Sequence, residues 1–305
     1  MPNLTTVTLP AGLTGIPKDA FANSAQLKTV NFGTADASTP GARAVTGNDN
    51  AITLPTGLTS IGQNAFANTA ATVVDLSQVT AASFTTIGEN VFRGMTNLAE
   101  VKLPATITTI NANAFQGDAK LVTLTQAEAA TTGGSNGQVR DTDTANTATF
   151  GKSLISIGNN AFNGTGFTTV DLSKAVGTQA STGGNPSTPA TTLSVGSNAF
   201  TNMAELMTVK LPANANINPT YFGNPTDATE QKLKTITYGT ATATITLSDA
   251  TISSLNFSKI KNSTIEIKSS VGSSGITFTG GVFNGNDTMT TLKLSVTATN
   301  GNNPL

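Results

Sequence analysis

Apolar positions along this chain recur in one phrase, close to Ile-Gly-x-Asn-Ala-Phe, at Ile61 to Phe66, Ile87 to Phe92, Ile110 to Phe115, Ile157 to Phe162 and Val195 to Phe200. Looser copies run from Ile16 to Phe21, Ile217 to Phe222, Ile252 to Phe257 and Phe278 to Phe283. In all nine the apolar residue stands five places before the Phe. A second phrase, Leu-x-x-Val-x-Leu, follows downstream as Leu27, Val30 and Phe32; Leu98, Val101 and Leu103; Leu206, Val209 and Leu211; and Met289, Leu292 and Leu294. Three copies run one residue short, giving Val74 and Leu76, Val170 and Leu172, and Ile265 and Ile267. Alternation in Val-x-Leu predicts a short strand with one buried face. The Asn or Asp two places before the Phe (Asp19, Asn64, Asn90, Asn113, Asn160, Asn198) predicts the start of a short helical turn, where its side chain accepts from an orphan backbone N–H. Gly62, Gly88, Gly158 and Gly196 follow the apolar residue, and Pro17 shares their column. Because Pro fixes φ at about −65°, the column reads as a tight turn and not as a left-handed residue.

Successive Phe positions differ by 45, 26, 23, 47, 38, 22, 35 and 26, so the unit is near 23 residues and the longer gaps hold inserted sequence. Self-similarity at that period predicts a repeat solenoid, β-rich with short helical turns, spanning residues 1–305 in about nine units. One unit buries too little apolar surface to fold alone, so neighbouring coils complete each other's core. The rings of Phe21, Phe66, Phe92, Phe115, Phe162, Phe200, Phe222, Phe257 and Phe283 are then expected to form one internal spine.

Three insertions, at 33–51, 125–150 and 173–191, fall between a strand phrase and the next Phe phrase and are rich in Ala, Thr, Gly, Ser and Asn. In one slot of the unit, they are expected on one edge of the stack, either as neutral surface loops or as an enlarged binding rim. Asp141, Thr142 and Asp143 open like an oxygen-ligand calcium loop, but Asn146 and Lys152 stand where Gly and Glu belong, so no metal site is expected.

Composition narrows function. The chain has no His and no Cys, which removes Ser-His and Cys-His catalysis, thiolate chemistry, disulfides and nitrogen- or sulfur-ligated zinc. With 16 Lys and Arg against 17 Asp and Glu it lacks the basic surface that nucleic acid requires. No stretch is apolar enough for membrane insertion, the acids form no marked catalytic pair, and no cofactor is expected, so the chain reads as no enzyme.

The words Thr8-Leu9-Pro10, Thr53-Leu54-Pro55, Lys102-Leu103-Pro104 and Lys210-Leu211-Pro212, each leading into a Phe phrase, resemble the BspA-like leucine-rich repeat proteins. The resemblance covers Leu4 to Leu294 and implies a right-handed coil with parallel strands on its concave face, and a bacterial surface protein outside the cell. Family members often carry Cys three residues after the Phe. Here that column holds Ser24, Thr69, Met95, Asp118, Thr165, Met203 and Asn286, and its Asp and Asn predict a column that is not uniformly buried. The concave face is the usual contact surface of such solenoids. Alternation puts Asp75, Glu100, Lys102, Asp171, Thr208, Lys210 and Lys293 there, among rows of threonine and with no aromatic residue. The implied function is non-enzymatic adhesion to a host or microbial protein or glycan. The alternative is a structural spacer displaying another domain. Leu4, Val7 and Leu9 form the strand half of a unit, so the chain reads as a fragment of a longer protein.

Overall fold

The computed structural model describes residues 1–33, 49–128, 145–175, 193–212, 222–223, 235–238, 264–269 and 291–296. Phe257, Phe283, Asn286, the Asp141–Asp143 loop and most of each insertion lie outside the described residues, as does the side chain of Lys293.

Twelve parallel strands form one sheet in chain order: β1 (Thr6–Pro10), β2 (Thr29–Gly33), β3 (Ala51–Thr53), β4 (Val73–Asp75), β5 (Glu100–Leu103), β6 (Thr123–Gln126), β7 (Thr147–Thr149), β8 (Thr169–Asp171), β9 (Thr208–Leu211), β10 (Thr235–Tyr238), β11 (Thr264–Ser269) and β12 (Thr291–Val296). Strands this short need partners on both sides, and the coil supplies them. Each strand turns one column inward, where Val30, Ile52, Val74, Val101, Leu124, Ala148, Val170 and Val209 are all fully buried. That column is in register from strand to strand. A second, short parallel ladder runs behind the sheet through Thr86–Ile87, Thr109–Ile110, Ser156–Ile157 and Ser194–Val195.

The described residues contain no helix, which corrects the expected helical turns. Each Phe phrase is a chain of β-turns: Ala65 donates to Gly62, Ala67 to Asn64 and Thr69 to Phe66, at 3.0 to 3.3 Å. The Asn or Asp before the Phe does not cap anything. Asp19, Asn64, Asn90, Asn113, Asn160 and Asn198 all have φ between 55° and 59°, and the residue two places after the Phe (Asn23, Asn68, Gly94, Gly117, Gly164, Asn202) is left-handed as well. Asn, Asp and Gly tolerate that region best. The alternating backbone aims three N–H groups at the next coil. Asn64, Phe66 and Asn68 donate to the carbonyls of Glu89, Val91 and Arg93, and side chains continue the ladder where Asn64 donates to Asp19 at 2.7 Å. The Gly62 column is not left-handed, as the sequence indicates, but its reason is spatial. A Cβ on Gly62 would lie 2.3 Å from the backbone N of Lys18 in the preceding coil.

Phe21, Phe66, Phe92, Phe115, Phe162, Phe200 and Phe222 stack with successive centroids 5.2 to 5.7 Å apart and planes within 20°. The stack is unbroken where the sheet gains strands. Phe21 touches Phe66 although both β2 and β3 lie between them in sequence, and Phe115 touches Phe162 across β6 and β7. Two of the insertions therefore join strands whose connection carries no Phe turn, while the third adds no strand among the described residues. From β1 to β9 the sheet makes eight steps of about 4.8 Å, whereas the spine from Phe21 to Phe222 makes six steps of 5.2 to 5.7 Å. The two strand-only layers make the sheet side of the coil longer than the ring side over this span.

The column three places after the Phe is buried throughout the described residues, correcting the expectation that its Asp and Asn would leave it unevenly buried. Ser24, Thr69, Met95, Asp118, Thr165 and Met203 are at most 3% exposed. Thr69 and Thr165 donate their hydroxyls to the carbonyls of Phe66 and Phe162, both at 2.9 Å. Asp118 instead accepts from the Met95 N–H at 2.8 Å through Oδ1, and its Oδ2 is buried without a hydrogen-bond partner. Burial pushes this carboxyl well above the usual range, against the lowering effect of the Met95 and Gly94 amides.

Candidate interaction face

On the side of the sheet away from the inward column, strand positions form two register rows, in which Ala51, Thr53 and Thr147 are themselves buried. Strand pairing sets the first as Thr6, Thr29, Ala51, Val73, Glu100, Thr123, Thr147, Thr169, Thr208, Thr235, Thr264 and Thr291, so that threonine is continuous from β6 to β12. Two residues further along each strand the second row reads Thr8, Asn31, Thr53, Asp75, Lys102, Thr125, Thr149, Asp171, Lys210, Thr237, Glu266 and Lys293. β-branched threonine suits a half-buried pleated surface, and cross-strand Thr pairs stabilise it modestly.

Charge in the second row is ordered. An acid stands immediately before a lysine on the next strand three times: Asp75 beside Lys102, Asp171 beside Lys210, and Glu266 beside Lys293. Lys210 Nζ lies 3.0 Å from Asp171 Oδ2, and Lys102 Nζ lies 3.2 Å from Glu100 Oε1 in the same strand. Asp171 and Asp75 are held by the chain that follows them. Ser173 donates its N–H and its hydroxyl to Asp171 Oδ1 at 3.0 and 2.6 Å, and Ser77 does the same for Asp75. Partial burial of Asp171 would raise its carboxyl, but the Ser173 and Lys210 hydrogen bonds outweigh it and hold the group below its ordinary value.

The structure thus brings Asp75, Glu100, Lys102, Asp171, Thr208 and Lys210 onto one face, with Lys293 at the matching register position on β12. The serines that fix the two aspartates escape a reading based on strand alternation, because they follow the strands. The spacing Val-Asp-Leu-Ser, at Val74 to Ser77 and Val170 to Ser173, was the available signal. Much of the remaining threonine is structural. Thr59, Thr72, Thr108 and Thr168 each send both N–H and hydroxyl to one carbonyl of an adjoining layer. Among the described residues, no group of three or more acids is placed to hold a metal ion, and no helix is long and apolar enough to cross a membrane. The arrangement offers hydroxyls, methyls and paired charges, which suit non-covalent contact.

A family model described as BspA type leucine-rich repeat region matches in six copies over residues 46–137, 139–182 and 184–271. Among solved structures the chain is similar to the pneumococcal vaccine antigen PcpA, at 16% identity and a TM-score of 0.41, covering 87% of this chain and 63% of that one. The chain therefore spans less than two thirds of that antigen. It is also similar to a leucine-rich repeat protein from Bacteroides ovatus (17% identity, TM-score 0.41, 96% of this chain and 74% of that one). A third similar structure is a leucine rich cell surface protein from Faecalibacterium prausnitzii (18% identity, TM-score 0.27, 96% and 79%). No curated protein matches.

Proposed function

The chain belongs to the BspA-type leucine-rich repeat family, and from that premise we propose that it is a non-enzymatic adhesion module acting at the outside of a bacterial cell. Its partner is a host or microbial protein or glycan, met through the outward rows of the twelve-stranded sheet. The observation that carries this reading is the ordering of Asp75, Lys102, Asp171 and Lys210 in one row of an otherwise threonine-rich face. Both aspartates are pre-set by serine hydrogen bonds, so they offer fixed acceptors at little entropic cost on binding. Contacts of this kind are individually weak and gain strength by repetition along the coil. The competing reading is a spacer, favoured by the pairing of Lys210 with Asp171 inside the chain.

Glycan and matrix-protein arrays probed with the purified chain separate the two. Adhesion requires saturable binding that falls when Lys102→Ala and Lys210→Ala are combined. Binding untouched by that pair places the contact elsewhere, and silence on both arrays leaves the spacer.

A further inference from the structure

The order of charge along the second row fits a second copy of the same face. Numbered by strand, acids stand on β4, β8 and β11 and lysines on β5, β9 and β12. We propose that two copies pack sheet to sheet with strand order reversed, β1 over β12 and β6 over β7, making the face homophilic. This rests on the reading of the sheet as the interaction surface and names its partner.

A two-fold axis parallel to the strands generates this pairing, laying each row over the same row of the partner. Asp75 then lies over the partner's Lys210, and Lys102 over the partner's Asp171; the symmetry repeats both contacts. Each acid–lysine pair of one copy covers a lysine–acid pair of the other, so four charges alternate in sign within each of two clusters. The centre of the axis falls between β6 and β7, at the uncharged Thr123, Thr125 and Thr149, with Thr147 buried beside them. Elsewhere the first row puts Glu100 over Thr169, so no like charges meet among the described side chains.

Register is specified by repulsion as well as attraction. A slip of one strand in one direction puts Asp75 over Asp171, and a slip in the other puts Lys102 over Lys210. Like charges so placed are costly, which makes the full overlap the selected one. The strip is about 50 Å long and about 10 Å wide, which buries on the order of 1,000 Å² in total, the low end for a specific complex. Association is therefore weak for isolated chains and depends on many copies facing one another.

Charge reversal tests the register. One variant combines Asp75→Lys with Asp171→Lys, the other Lys102→Asp with Lys210→Asp, and both keep the rest of the 305-residue chain. Sedimentation of the parent from about 1 µM to about 1 mM is expected to show a monomer–dimer equilibrium that weakens in 1 M NaCl. Each variant alone should lose about tenfold or more in association, and an equimolar mixture should regain most of it, because the two sets are complementary only across the interface. Thermal melts check that each variant is folded. If one is not, the salt series on the parent and cross-linking at Thr123→Cys, which lies near the axis, decide the matter. A parent that stays monomeric, a mixture that fails to recover, or association indifferent to salt would each overturn the proposal. A monomeric parent that still binds an array partner saturably overturns only the homophilic reading and leaves the adhesion reading standing.

Discussion

Phe115 and Lys210 each hold a fixed place in the repeating unit, yet the coil constrains them differently. Phe115 is fully buried between Phe92 and Phe162, at centroid distances of 5.4 and 5.2 Å, and any change there is felt by both neighbours. Lys210 stands on the sheet face with over a third of its side chain exposed and one ion pair to Asp171. The spine column admits only phenylalanine in its described layers, while the face column admits Thr, Asn, Asp and Lys. A column enclosed on both sides repeats because packing permits one answer, and an outward column varies because register alone limits it. Variation on the face is thus where a partner can be specified without loss of the fold.

The sharpest test of that contrast is Phe115→Ala, expected to cost about 3 to 5 kcal/mol because the stack on either side prevents collapse into the cavity. Phe21→Ala should cost roughly half as much, since that ring is partly exposed and stacks only on Phe66 among the described residues. Denaturant melts of both variants measure the difference. Equal losses would mean that the spine is not cumulative.

Asp118→Thr reverses the sign. The threonine can donate to the Phe115 carbonyl as Thr69 and Thr165 donate in their own layers, and it removes a buried oxygen that has no partner, at the cost of the acceptor for the Met95 N–H. Because burial of an ionisable carboxyl costs more than one orphaned amide, a net gain of about 1 kcal/mol at neutral pH is expected. The pH dependence follows from the raised carboxyl. Asp118 holds its proton more tightly in the folded chain than in the unfolded one. Its protonated form therefore supports the fold fully below the unfolded value of about 3.9, and that support is lost as pH rises through the folded value. Parent and variant should converge near pH 4 and separate above it; a constant gap across pH would refute the account.

Asn113→Ala probes the turn itself. Asn113 has φ 57°, and alanine there should cost about 1 to 2 kcal/mol from the left-handed backbone. Asn113→Gly should cost less than alanine in a denaturant melt, because glycine takes the left-handed backbone without a Cβ penalty, and equal losses would refute the account.

What was legible in the sequence follows the same division. The phenylalanine and strand columns could be read because period and burial coincide. The backbone of the turn could not, since Asn and Asp are favoured both at helix starts and in left-handed positions. The deciding signal was the second column, where Asn23, Asn68, Gly94, Gly117, Gly164 and Asn202 stand two places after the ring. The strand-only layers were visible in the Phe spacings of 45 and 47, which are twice the unit, but length alone cannot separate a long loop from a loop plus a strand. Pairing of Asp171 with Lys210 depends on β8 meeting β9 across 38 residues from Phe162 to Phe200, a register that an insertion hides from the sequence. Burial of Asp118 was unreadable because its residue type argues for solvent.

The smallest effect completes the comparison. Lys210→Ala removes a half-exposed ion pair, and such pairs contribute at most about 1 kcal/mol, so the melting point should barely move. Its electrostatic trace should be plain nonetheless. Asp171 loses the ammonium at 3.0 Å but keeps both Ser173 hydrogen bonds, so its carboxyl should rise from its lowered position. Because a lowered carboxylate supports the fold above its unfolded value and loses that support as pH falls, the variant should lose stability earlier in an acid titration. Carboxyl-resolved NMR titration of Asp171 reads this directly. A large loss of stability at neutral pH would place Lys210 among the residues that hold the coil together, and the face would then lack the freedom that recognition requires.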